Sequence, residues 1–180
     1  QTFCAIQTLA ETMEKISAER IQVELVKMLT SEHPEFLREL YESGIADVIL
    51  PEFAEEMKTP QNNPHHIYSV GEHTIRVVQN VPADKVLRLA ALFHDIAKPV
   101  TRHTDDNGVD HFYEHPKVGA EMTRTIMRRL RFDTDTLQKV CALVRWHDER
   151  PKLTEANVRK SIYKMGEGCF PKIFSLKKAD

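Results

Sequence analysis

The 180 residues are 41% hydrophobic and 29% charged, the balance of a water-soluble globular chain with room for one domain and a helical annex. Net charge is only −2, so no general attraction draws the chain to nucleic acid or to an anionic membrane. Arg88 interrupts even the run VLRLAALF, and no stretch approaches membrane-spanning length.

Helical periodicity recurs along the chain and strand-like alternation is scarce, which predicts an all-α fold, a helical bundle preceded by a helical annex. A first amphipathic stretch covers residues 3–16. Ser17 suits the N-cap of AERIQVELVKMLT, where Ile21, Leu25, Met28 and Leu29 share one face. Pro34 can open the next helix, PEFLRELYES, and Gly44 can close it. KTPQNNPHH, residues 58–66, carries two prolines and two asparagines and marks a boundary, dividing the chain into units 1–60 and 61–180. Helices are expected at 69–80, 83–97, 116–131, 134–147, 155–165 and 170–180. Between 100 and 113 an Asn-Gly turn flanked by short polar stretches predicts one small β-hairpin.

The start, QTFCAIQTLAETMEKI, lacks the basic head, apolar middle and cleavage site of a secretory signal. Cys4, Cys141 and Cys169 are odd in number and widely spaced, so neither a disulfide framework nor a zinc knuckle is implied, and a reducing cytoplasm is the expected home. The chain begins with Gln1 rather than Met, which suggests a section of something longer. Charge is uneven along it. Residues 1–60 hold 5 basic and 12 acidic side chains, whereas 151–180 hold 7 and 3, so a polyanion must meet the back half. The densest basic cluster is RTIMRRLR, in which Arg124 and Arg128 are candidates for an RNA contact or parts of a solvated helix face.

Histidine carries most of the chemical information. Eight of the nine fall between residues 65 and 147, several at expected helix ends where side chains from different helices can converge. His73 sits near the apolar face formed by Val70, Val77 and Val78. His94 and Asp95 end the run containing Leu89, Leu92 and Phe93, while His115 opens a helix and His147 ends one. A lone histidine on an apolar face is usually a hydrogen-bonded core residue, and neighbours on a helix point about 100° apart. The ensemble is therefore the signal. His65, His66, His103 and His111 receive no role.

The order His73, then His94-Asp95, then a distant Asp180 resembles the H…HD…D signature of HD-domain phosphohydrolases. That resemblance implies an all-helical fold in which these four side chains bind one divalent metal. His115 and His147 stand where some members hold a second ion, and Lys98 matches the lysine that follows the doublet. A narrower resemblance spans nearly the whole chain. ISAERIQVELVKML, LYESGIADVILPE, NPHHIYSVGEHTIRVV, LAALFHDIAKP, EHPKVGAEM and LRFDTDTLQKVCALVRWHD are similar to the carboxy-terminal half of bacterial tRNA nucleotidyltransferases, the CCA-adding and poly(A) polymerase family. It implies that residues 1–60 belong to an RNA-binding helical body. No Gly-Gly-x-x-Arg-Asp stretch of a polymerase head is present, and the DTD at Asp133–Asp135 reads as N-capping, so nucleotidyl transfer is not expected from this chain alone.

The implied donor set suits iron, manganese, cobalt or nickel, and magnesium if water completes the shell. One ion would lower the pKa of bound water and neutralise phosphoryl charge; a second, with Asp95 bridging, would clamp attacking and leaving oxygens. With a single ion, His115 and His147 would instead bind phosphate or protonate the leaving group, and Lys98 would act as a point charge. Three readings follow: a metal-dependent phosphohydrolase acting on a nucleotide or an RNA 3′ end, a non-catalytic tRNA-binding body with a vestigial metal site, or a purely structural bundle.

Overall fold

The annex begins with α1 (Thr2–Leu9), which tightens into a 3₁₀ turn over Ala10–Lys15 instead of continuing as one helix over 3–16. Ala10 is buried there, 3.8 Å from where a β-carbon on Gly44 would stand, and such turns commonly finish a helix. Ser17 caps α2 (Ala18–Thr30) by accepting a hydrogen bond from the Arg20 amide. Pro34 opens a 3₁₀ turn (Pro34–Phe36) that leads into α3 (Leu37–Glu42), and Gly44, at φ +78°, turns the chain after it. Two helices absent from the expected set follow, α4 (Ile45–Ile49) and α5 (Pro51–Lys58).

The computed structural model describes residues 2–61, 68–150, 152 and 154–180, so His65, His66 and most of the expected boundary at 58–66 lie outside the described residues. The second unit contains α6 (Val70–Asn80), α7 (Lys85–Phe93), α8 (Lys98–Thr101), α9 (His115–Arg129), α10 (Thr134–Trp146), α11 (Glu155–Met165) and α12 (Phe170–Ala179). Among the described residues the fold is all-α except for the expected hairpin, in which β1 (His103–Thr104) pairs antiparallel with β2 (Asp110–His111), His103 opposite His111. Expected helix ends shift by a residue or two, with one exception. The 83–97 helix stops at Phe93. A proline cannot sit four residues after a helical carbonyl, so Pro99 bars an unbroken helix through Asp95. The Asp95 carbonyl accepts the Lys98 amide instead, at 2.8 Å.

One hydrophobic core spans both parts: Leu37, Leu50 and Phe53 of the annex join Ile75, Leu89, Leu92, Phe93, Ile126 and Leu143. Burying each such side chain stabilises the fold by about 1.5–3 kcal/mol. Polar ties cross the same seam. Arg38 forks onto Glu72 at 2.9 and 2.7 Å, Arg129 forks onto Glu52 at 2.7 Å twice, and Arg88 Nη1 donates to the Leu29 carbonyl at 3.1 Å. Among the described residues no helix is long and apolar enough to cross a membrane.

Asp133 caps α10 as the sequence indicates, accepting from the Thr136 amide at 2.8 Å and its hydroxyl at 2.7 Å. Those bonds lower its carboxyl pKa to about 2, below the ordinary value near 3.9 in the unfolded chain. Its contribution is therefore complete above pH 4–5 and fades as pH falls towards 2. Asp133→Ala should cost about 1 kcal/mol at pH 7, and the gap should narrow in urea titrations repeated at pH 3. An unchanged gap at pH 3 would contradict this origin.

Candidate metal centre

Five elements deliver six side chains with metal-donor atoms to one point. His73 comes from the first turns of α6, Asp180 from just past α12, and His115 from the first residue of α9. His94 and His147 sit at the C-caps of α7 and α10. Because α7 ends before Pro99, His94 and Asp95 both turn to the same side. His73 Nε2 lies 2.9 Å from Asp180 Oδ1 and 3.8 Å from Asp95 Oδ2, while His94 Nε2 lies 3.2 Å from Asp95 Oδ2 and 3.5 Å from Asp180 Oδ1. On the other side of the carboxylate, Asp95 Oδ1 is 3.4 Å from His115 Nε2 and 3.9 Å from His147 Nε2. Two donor sets result, His73–His94–Asp95–Asp180 and Asp95–His115–His147, each with its atoms within 4.8 Å of one another.

Backbone carbonyls fix the tautomers. Nδ1 of His94, His115 and His147 stands 2.7, 2.8 and 2.7 Å from the carbonyls of Ala91, Phe112 and Val144. A carbonyl only accepts, so each Nδ1 must donate, and in the neutral ring Nε2 is left with a lone pair facing the centre. The buried His94 Nε2 and Asp95 Oδ2 complete no aligned hydrogen bond, although Lys98 Nζ stands 2.7 Å from that oxygen. Buried polar atoms in that condition are rare, and imidazole and carboxylate donors converging on one point fit a divalent cation.

Electrostatics agree with that fit. Burial alone would raise the Asp95 pKa, but the His94 and Lys98 charges hold its carboxyl well below the usual range. Burial likewise opposes a proton on His94, yet Asp95 and Asp180 hold its pKa well above the ordinary value, so the proton takes the place a cation would fill. Burial and the neighbouring His94 charge push His147 down to about 4, leaving it neutral at physiological pH. Asp180 is also lowered, its burial outweighed by the hydrogen bond to His73 and the nearness of His94.

Lys98 is buried, bonded to Gln61 Oε1 at 3.0 Å and poised over the Phe112 ring. An open cleft of about 520 Å³ leads to the centre. A larger apolar hollow of about 610 Å³, lined by Met13, Ile21, Leu25, Met28 and Leu40, belongs to the annex and contains none of these donors. The two RNA candidates stand apart from the centre. Arg124 pairs with Glu121 at 3.3 Å and Arg128 is exposed, roughly 14 and 20 Å along α9 from His115 at 1.5 Å per residue. His111 binds Asp105 at 3.0 Å rather than the centre, and His103 is exposed on β1.

Two participants were missed in the sequence, Gln61 and Glu56. Glu56 is fully buried on α5 with neither oxygen hydrogen-bonded, and burial together with the nearby Asp95 charge raises its pKa well above normal. Its signal was available. A carboxylate beside Phe53, Ala54 and Met57 interrupts an otherwise apolar helical face.

Comparison with known proteins agrees with this geometry. Residues 65–168 match the HD domain, and residues 1–57 match a region described as a probable RNA and SrmB-binding site of polymerase A. The chain is 39% identical to the CC-adding tRNA nucleotidyltransferase of Thermus thermophilus over 73% of its own length and 32% of that protein. It is 33% identical to the A-adding tRNA nucleotidyltransferase of Deinococcus radiodurans, over 90% of this chain and 38% of that one. A multifunctional CCA protein of Actinobacillus pleuropneumoniae is 28% identical over 82% of this chain and 38% of its own length. The chain thus spans about a third of the curated relatives it matches. Asp180 lies beyond the matched HD segment, yet the fold returns it to the imidazoles of His73 and His94, and by the match over residues 65–168 the chain belongs to the HD-domain family.

Proposed function

We propose that the chain is a metal-dependent phosphohydrolase acting on nucleotides or RNA 3′ ends, with residues 61–180 as the hydrolytic unit and residues 1–60 as a helical body that holds tRNA. The observation that carries this reading is the division of Asp95, whose two oxygens face two separate donor sets. A divalent ion held by His73, His94, Asp95 and Asp180 would supply Lewis-acid charge for a phosphoryl oxygen and lower the pKa of water. Iron, manganese, nickel, cobalt and magnesium are the candidates, with one or two ions. The Val144 carbonyl takes the Nδ1 proton of His147 and leaves its Nε2 as an acceptor, which supports ligation over acid catalysis for it. His115 shares that donor set at 3.3 Å. Lys98 orients Asp95 and places a positive charge at the floor of the cleft. The free Cys4, Cys141 and Cys169 suit a reducing cytoplasm.

The match of residues 1–57 favours a second reading, a non-catalytic tRNA-binding body with a vestigial metal site. Elemental analysis of the purified chain, paired with ring opening of 2′,3′-cyclic nucleotides to monoesters and phosphate release from 3′-phosphorylated RNA, separates the two. The expected result is about one or two divalent ions per chain and hydrolysis that chelation stops. Metal-free protein that hydrolyses neither substrate, yet binds tRNA in a salt-sensitive way through Arg124 and Arg128, would establish the second reading in its place.

A further inference from the structure

The metal cleft carries an aromatic surface that the ligand set does not use. Beyond β2 the chain runs through Phe112, Tyr113 and Glu114 into His115, so Tyr113 stands at most about 7 Å of backbone from a metal-ligating residue. Tyr113 is 69% exposed. One face lies parallel on the His111 ring, with centroids 5.4 Å apart and planes 5° apart. His111 is held from behind, its Nε2 3.0 Å from Asp105 Oδ2, and the hairpin base is tied by Thr104 and Arg102 to Asp110 at 2.6 and 3.0 Å. Glu114, at φ +60°, occupies the left-handed region that most side chains avoid and fixes the step from Tyr113 to His115. His111, Tyr113, His115, His147 and Asp180 all line the same cleft, as do the cationic Arg150 and Lys177.

We propose that Tyr113, backed by His111, is a nucleobase-stacking platform, so that the cleft takes a phosphoester carried on a nucleoside in preference to a plain phosphate ester. This rests on the phosphohydrolase reading for what happens to the phosphate, but the base subsite is a binding property of its own. Every base presents a π-face, so the platform selects for nucleotides without choosing among them. One ribose separates base from phosphate, and one residue, Glu114, separates Tyr113 from His115. Arg150 and Lys177 add positive charge for a neighbouring phosphate, which extends the ligand class to an RNA terminus.

The test uses 2-aminopurine ribonucleoside monophosphate, whose fluorescence falls on stacking, titrated into the full chain as purified and again after chelation. Adenosine monophosphate should displace it at about tenfold lower concentration than ribose 5-phosphate does. Tyr113→Ala should weaken probe binding about tenfold, the scale of one base on an aromatic ring, while Tyr113→Trp retains it. Metal content and circular dichroism of the variants report whether the fold and the ligand set survive. No probe binding in either state overturns the proposal, as does equal competition by ribose 5-phosphate or parental affinity in Tyr113→Ala. Base-selective binding without any hydrolysis would leave the platform standing and remove the phosphohydrolase reading; hydrolysis without base selectivity would do the reverse.

Discussion

Asp95→Asn should empty both donor sets with one substitution. The two oxygens are divided, Oδ2 towards His73 and His94 and Oδ1 towards His115 and His147, so neither set keeps its only shared carboxylate. The amide is nearly isosteric, which spares packing around a side chain that is 1% exposed. Its nitrogen cannot ligate, and its oxygen carries no charge to offset a dication. Metal content should fall to trace levels, and any hydrolysis should drop by more than the roughly 10–100-fold expected when a partner outside the ligand set is lost. His115→Ala is the contrast, because it touches only the Asp95–His115–His147 set and should leave about one ion on the other. Asp95→Ala would mislead: it strands the buried Lys98 ammonium with Gln61 alone, a loss of about 3–5 kcal/mol that would confuse unfolding with demetallation. Parental metal content in Asp95→Asn, by plasma emission on folded protein, would refute the shared-ligand geometry.

How much of this was legible beforehand depends on the kind of information. Capped helices were, because Ser17 and Asp133 each satisfy amides within their own first turn, a strictly local interaction. The five-residue α4 was not, since so short an element cannot display a helical period. Asp180 could be assigned only through the family resemblance. Its bond to His73 joins residues 107 positions apart, and nothing local marks such a pairing. The seam between annex and HD unit was equally silent: Arg38 with Glu72 and Arg129 with Glu52 look like ordinary surface charges until the fold brings them together. Glu56 is the instructive middle case. Its place on an apolar face could be seen, but its position behind Asp95 and His94 depends on how closely α5 approaches α6.

That approach turns on Gly71, and Gly71→Ala should be among the most damaging small substitutions in the chain. A β-carbon there would stand 2.7 Å from both Cα and N of Met57 and would overlap the Met57 sulfur. The thioether could swing aside, but backbone cannot, so α5 and α6 must separate. Such overpacking costs about 1–3 kcal/mol or more, and contact with main chain places this site at the upper end. For a chain of this length about 3 kcal/mol corresponds to a fall in Tm of roughly 6–12 °C. The displacement also reaches function. Glu72, which fastens α6 to Arg38, and His73, which reaches Asp180, are the next two residues. Metal bound by the His73 set should therefore weaken while the Asp95–His115–His147 set is less affected. Gly168→Ala is the control, for a β-carbon there meets nothing within 4 Å, and its Tm should move by less than about 2 °C. A Gly71→Ala protein that melts with the parent and keeps its full metal content would mean that α5 and α6 yield easily, and that the annex does not hold His73 in place.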